Sequence, residues 1–156
     1  MQPITRIAAA LLLAISILNT AHADPWKGFY AGAGLENWGG GEETGINAVF
    51  GYNKTVFEKY VFGGEVTFFT DMDQKFQSRF IAKRGGYLLN PKTLIYATAG
   101  IGSFSDGDSA MRAGIGLEWA RSDRFTIRLE ATKEQCCGNP ILEGAGAVRA
   151  MAVWHF

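Results

Sequence analysis

The chain has 156 residues, with 15 Lys and Arg against 15 Asp and Glu, so its formal charge is zero. That balance leaves no electrostatic footprint for nucleic acid and no polybasic surface for an anionic membrane. Its 20 glycines and 13 % aromatic content are high for a soluble domain, yet no stretch after Asp24 is apolar for the ~20 residues that a membrane helix requires.

The first element is a leader. Arg6 supplies a positive start, Ile7 to Leu18 is apolar apart from Ser16, and Ala21-His22-Ala23 has the small-residue pattern of a cleavage site. A cleaved signal peptide over 1–23 is expected, with the mature chain, 24–156, forming one domain. No cysteine near the cleavage point marks a lipoprotein anchor.

Beyond the leader the chain breaks into segments of alternating character separated by turn residues. Trp26 to Trp38 sets Phe29, Ala31, Ala33 and Leu35 against Tyr30, Gly32, Gly34 and Glu36. Gly45 to Asn53 groups Ile46, Ala48, Phe50 and Tyr52, and Tyr60 to Thr70 groups Tyr60, Phe62, Val66 and Phe68 opposite Gly63, Glu65 and Thr67. Phe76 to Leu89 places Ile81, Gly85 and Tyr87 outward and Arg84 inward, a register that also turns Lys83 outward and so leaves the segment ambiguous. Thr93 to Ser103, Met111 to Ala120, Phe125 to Thr132 and Val148 to Phe156 alternate cleanly, with Arg112, Glu118, Arg128, Glu130 and Arg149 on the polar side.

Eight segments, each near the ~9–11 residues of a tilted membrane strand, predict an all-β fold: an eight-stranded antiparallel up-and-down transmembrane β-barrel. A soluble sandwich alternates too, but its inner face would be a compact apolar core, whereas here the inner face is glycine-rich and charged. Trp26, Tyr52, Tyr60, Trp119, Trp154 and Phe156 lie near segment ends, where interfacial girdles sit.

The runs Trp26-Lys-Gly-Phe-Tyr-Ala-Gly-Ala-Gly, Phe62-Gly-Gly-Glu65, Leu94-Ile-Tyr-Ala-Thr-Ala-Gly100 and Arg112-Ala-Gly-Ile-Gly-Leu-Glu118 resemble strands one, three, five and six of small outer-membrane β-barrel proteins. These are the porin-family or opacity-protein-like barrels, related in architecture to OmpX and the OmpA membrane domain. The resemblance covers essentially the whole mature chain. It implies a bacterial outer-membrane location after export to the periplasm, and contact with outer-membrane lipid and lipopolysaccharide. It also implies recognition by the outer-membrane assembly machinery through the terminal aromatic Phe156. It implies location and fold more firmly than activity.

Glu36, Glu65, Arg84, Arg112, Glu118, Arg128, Glu130 and Arg149 all fall on the inward side. A bore this narrow cannot hold isolated charges, so they are expected to pair as a lumen salt-bridge network that fills the barrel. A narrow ion-conducting or substrate-binding lumen is the alternative. The turns at Lys54 to Lys59, Asn90 to Lys92 and Arg121 to Arg124 are expected in the periplasm. The outer loops, Gly39 to Thr44, Asp71 to Lys75, Phe104 to Ala110 and Glu134 to Gly146, are short for a surface adhesin.

The last of these loops holds Cys136 and Cys137, the chain's two cysteines, as a candidate vicinal disulfide. Its ring would be strained and easily reduced. A redox-labile switch, a soft-metal site, a dimer link and a simple loop-stiffening bond remain open. Some barrels of this membrane are lipid A deacylases or palmitoyltransferases. Beyond the leader, however, the one histidine is His155, read here as an interfacial aromatic, and no His-x-Ser pair exists. The Gly39-Gly40-Gly41 run and the Asn53-Lys54-Thr55 glycosylation pattern are read as chance. The expected function is a structural, non-enzymatic and monomeric barrel contributing to envelope integrity, without cofactor, metal or nucleic acid.

Overall fold

The computed structural model describes residues 24–39, 43–73, 77–136 and 146–156. The expected leader and Cys137 lie outside them. Eight strands follow in order: β1 (Gly28–Trp38), β2 (Glu43–Val56), β3 (Tyr60–Asp71), β4 (Gln77–Asn90), β5 (Thr93–Phe104), β6 (Ser109–Ser122), β7 (Phe125–Cys136) and β8 (Gly146–His155). Each pairs antiparallel with its neighbour in sequence, and β1 pairs with β8, closing the barrel from Tyr30 beside His155 to Trp38 beside Ala147. Closure satisfies every ladder and leaves no open edge, which strands need if they are to stand in hydrocarbon.

From Phe29 the register runs round through Tyr52, Gly64, Lys83, Ala99, Ala113 and Lys133 to Gly146. Phe29 meets Phe156 directly across the seam, where the Phe156 N–H donates to the Phe29 carbonyl at 3.0 Å. The separation between Gly146 and Phe156, about ten residues, is the stagger of the barrel. It tilts the strands and leaves an interior that side chains can fill.

One rim carries short turns and both ends of the described barrel; the other carries the longer loops. Phe29, Phe50, Phe62, Ile81, Ile101, Ile115 and Leu129 stand exposed between the rims as a continuous apolar belt. At the turn end the belt finishes in Tyr52, Tyr60, Tyr87, Trp119 and Trp154, with edge-to-face contacts between Phe29 and Tyr52 (5.0 Å) and between Tyr60 and Tyr87 (5.4 Å). A belt like this is unfavourable in water and suited to lipid, and the aromatic ring fits the headgroup boundary. In β4 the outward register is the one adopted: Lys83 is exposed and Arg84 is buried.

Two expectations are corrected here. Trp26 is neither in the first strand nor in the girdle. Asp24 and Lys27 form a small bridge that folds Trp26 under the barrel, where it is buried against Val61, Leu94 and Ala120. Its indole donates to the Pro91 carbonyl (3.0 Å), and the Thr55 hydroxyl donates to the Trp26 carbonyl (2.9 Å). Anchoring the indole N–H inside outweighs exposing it at the interface. The second correction is the end of β7, which runs past Thr132 to Cys136, so Cys136 closes a strand instead of lying in a loop.

Candidate functional site: a charge-filled bore

The bore is layered. At the loop end Trp38, Phe69, Phe80, Phe104, Ala110 and Ala147 pack together, with Trp38 edge-on to Phe104 at 5.8 Å. At the turn end Trp26, Val61, Leu94, Tyr96 and Ala120 form a second apolar layer. Between them lie five glutamates, four arginines and His155, all buried.

Register supplies the first set of partners. Glu36 lies directly beside Arg149, Arg149 beside Glu130, Glu118 beside Arg128, and Arg112 beside Glu134. Directly opposed unlike charges on one face are the favourable cross-strand arrangement. In the half of the bore nearer the loops, Arg149 pairs with Glu130, Arg112 pairs with Glu134, and both reach Glu36 at 3.8 Å. Glu36 also accepts from the Trp38 indole (2.8 Å) and the Asn47 amide (2.9 Å), while Arg112 donates to Thr67 at 2.8 Å.

Glu65 and Arg84 have no opposite charge beside them in register, since their paired neighbours include Ala82 and Gly63. They are matched across the bore instead. Arg128 Nη1 lies 2.9 Å from Glu65 Oε2, and Arg84 Nη2 lies 2.8 Å from Glu118 Oε2. Arg128 Nε also donates to Glu118 at 3.1 Å, so one guanidinium serves two carboxylates. The two halves join through Tyr96, whose hydroxyl donates to Glu130 while its ring lies 3.9 Å from the Arg84 guanidinium carbon. Tyr30 donates to Glu65 at 2.8 Å in the same manner.

These tyrosines fit because the strands facing them lack side chains. A Cβ on Gly51 would lie 2.3 Å from the Tyr30 ring, and one on Gly116 would lie 2.3 Å from the Tyr96 ring. The inward glycines are therefore places where a long side chain from another strand lies flat against the wall.

All eight charged residues singled out from sequence thus occur together inside the barrel. Two further participants depart from the sequence expectation. Glu134 is expected in an outer loop, but β7 continues and turns it inward onto Arg112. His155 is expected as an interfacial aromatic. It is buried in the bore, with Nε2 3.0 Å from Thr126 Oγ1 and 3.3 Å from Glu118 Oε1. The two-residue alternation from Arg149 requires that side, and Glu118 gives the ring nitrogen a partner there. A carboxylate, a hydroxyl and an imidazole therefore do meet, but with 0–1 % of their surface exposed beneath Tyr30. A lipid substrate would have to reach them through the barrel wall.

No protein-family model matches the chain, and no curated protein matches it in sequence. Solved structures do match it in fold. A de novo designed transmembrane β-barrel is 12 % identical with a TM-score of 0.61, over 87 % of this chain and 100 % of that one. Ail, the attachment invasion locus protein of Yersinia pestis, is 13 % identical with a TM-score of 0.56, over 82 % and 96 % of the two chains. The outer membrane enzyme PagL is 14 % identical with a TM-score of 0.53, over 80 % and 97 %. At such identities the likeness is one of architecture: the chain has the closed eight-stranded antiparallel fold of the small outer-membrane β-barrels.

Proposed function

We propose that the chain is a structural barrel of the bacterial outer membrane, exported by its leader and contributing to envelope integrity, with a bore that is filled and not conducting. The observation that carries this reading is the closure of the bore at three levels. The Trp38–Phe104 layer, the Arg128–Glu65 crossing and the Trp26–Leu94 layer follow one another along it. The turn end would face the periplasm and the apolar belt the lipid. Among the described residues, the connections at 57–59, 91–92 and 123–124 at that end, and 105–108 at the other, are short. The Glu118, Thr126 and His155 group lies within the filled bore and is read as part of the packing rather than as catalytic.

The test is loss of the barrel in its native cell. Deleting it should raise sensitivity to bile salts and uptake of a hydrophobic dye, while uptake of small hydrophilic solutes stays unchanged. A drop in hydrophilic uptake would favour the channel, and an envelope with unaltered dye and detergent responses would contradict the structural role.

A further inference from the structure

The outward side chains of β4 to β6 fall into rungs set by register. One rung near the loop end carries Arg79 beside Ser103. The next, two residues toward the turn end, carries Ile81, Ile101 and Met111. Rungs two residues apart are spaced by ~7 Å, so a polar pair stands immediately above an apolar step. Between them the wall is recessed, forming a groove of about 600 Å³ that opens outward from the barrel.

The polar edge is organised. Arg79 Nε donates to Ser103 Oγ at 3.1 Å, which holds the guanidinium at the groove's upper end and commits its inner N–H. The terminal N–H groups remain, and Arg79 takes part in none of the ion pairs among the described residues. A planar fork of N–H donors at the edge of a lipid-facing wall matches a phosphate. Ser109, beside Ser103 in register, also lies at that upper edge, and the step below is formed by Ile81, Ile101 and Met111. A second outward recess of about 320 Å³, beside Ile95, Leu117 and Leu129, has an outward lining that is apolar throughout. That second recess has no cation in its lining, whereas the first has Arg79 at its edge.

Resting on the outer-membrane reading above, we propose that this groove binds a phosphorylated lipid of the outward-facing leaflet. Its phosphate lies on Arg79 and Ser103, and one acyl chain lies against Ile81, Ile101 and Met111. An anionic headgroup supplies the counter-charge that no carboxylate gives Arg79 among the described residues, and the chain fills a recess that bulk lipid would otherwise pack loosely.

The experiment is native mass spectrometry of the full chain released from nanodiscs holding equal amounts of phosphatidylcholine and phosphatidylglycerol. The folded protein should retain phosphatidylglycerol over phosphatidylcholine by roughly two- to fivefold, the scale of one solvent-edge charge contact. Arg79→Gln should bring the ratio to parity. Lys133→Gln, which removes an exposed outward cation on β7 that has no part in the groove, should leave it unchanged. Met111→Trp, which fills the recess and keeps Arg79, should also abolish retention. No enrichment in the wild type, equal enrichment in Arg79→Gln, or full retention in Met111→Trp would each overturn the site. Cell fractionation separates this from the broader reading, because a barrel found outside the outer membrane could still show the lipid preference.

Discussion

Arg128 on β7 and Glu65 on β3 stand on opposite walls of the barrel, and their 2.9 Å contact crosses the bore. Both side chains are fully buried, and Arg128 also holds Glu118 at 3.1 Å. Arg128→Ala would strand Glu65 in a space closed to bulk water and leave Glu118 with Arg84 alone of its two guanidinium partners. The expected loss is about 3 kcal/mol or more of unfolding free energy, seen as a lower denaturant midpoint in micelles. Arg128→Met combined with Glu65→Gln should recover most of it, since Glu118 still pairs with Arg84 and no charge is then left alone. An unmoved midpoint in Arg128→Ala would show that the crossing contributes nothing to stability.

The glycine facing Tyr30 makes a separate prediction. Gly51→Ala places a methyl group 2.3 Å from the ring carbon, and overpacking of this kind costs roughly 1–3 kcal/mol. Gly64→Ala is the control, because its Cβ would point outward with its nearest neighbour at 3.8 Å. Equal effects of the two variants on the midpoint would mean that strand flexibility, and not the seating of Tyr30, is what Gly51 provides.

Much of this arrangement is legible in the sequence, and the remainder is unreadable for specific physical reasons. Alternation sorts Arg128 and Glu130 from Ile127 and Leu129 because lipid and bore demand opposite chemistry on the two faces. Glu134 was recoverable by carrying that alternation two more residues, to a position opposite Arg112. His155 was recoverable by counting on from Arg149. The crossing from Arg128 to Glu65 was not, because it depends on the stagger of the closed barrel, which no single strand encodes. Trp26 was equally hidden. Its burial depends on the Asp24–Lys27 bridge and the Pro91 carbonyl, and neither leaves a periodic trace.

Lys83 is exposed on the outer wall between Ile81 and Gly85, partway down the belt. A lysine at the midplane of such a wall costs ~2–4 kcal/mol, and less toward either interface. Lys83→Leu should therefore raise the unfolding free energy in lipid vesicles by about 1–3 kcal/mol. The gain should shrink in thinner bilayers, where the ammonium reaches headgroups more easily. A loss of stability would show that Lys83 has a partner on the wall.

Phe156 follows the last strand, and its N–H donates to Phe29 across the seam. If its ring serves as the signal read by the assembly machinery, deleting Phe156 should lower the amount of folded barrel in the outer membrane. Refolding of the purified chain should be nearly unchanged. Unaltered membrane yield would remove that role from the residue.

A closed bore is tested most directly by single-channel recording of the refolded protein in a planar bilayer, with folding checked by its heat-modifiable mobility on a gel. The Trp38–Phe104 layer, the Arg128–Glu65 crossing and the Trp26–Leu94 layer predict silence from the folded wild type at all applied voltages. Discrete, reproducible openings would contradict the filled bore and make Arg128 and its partners the lining of a channel.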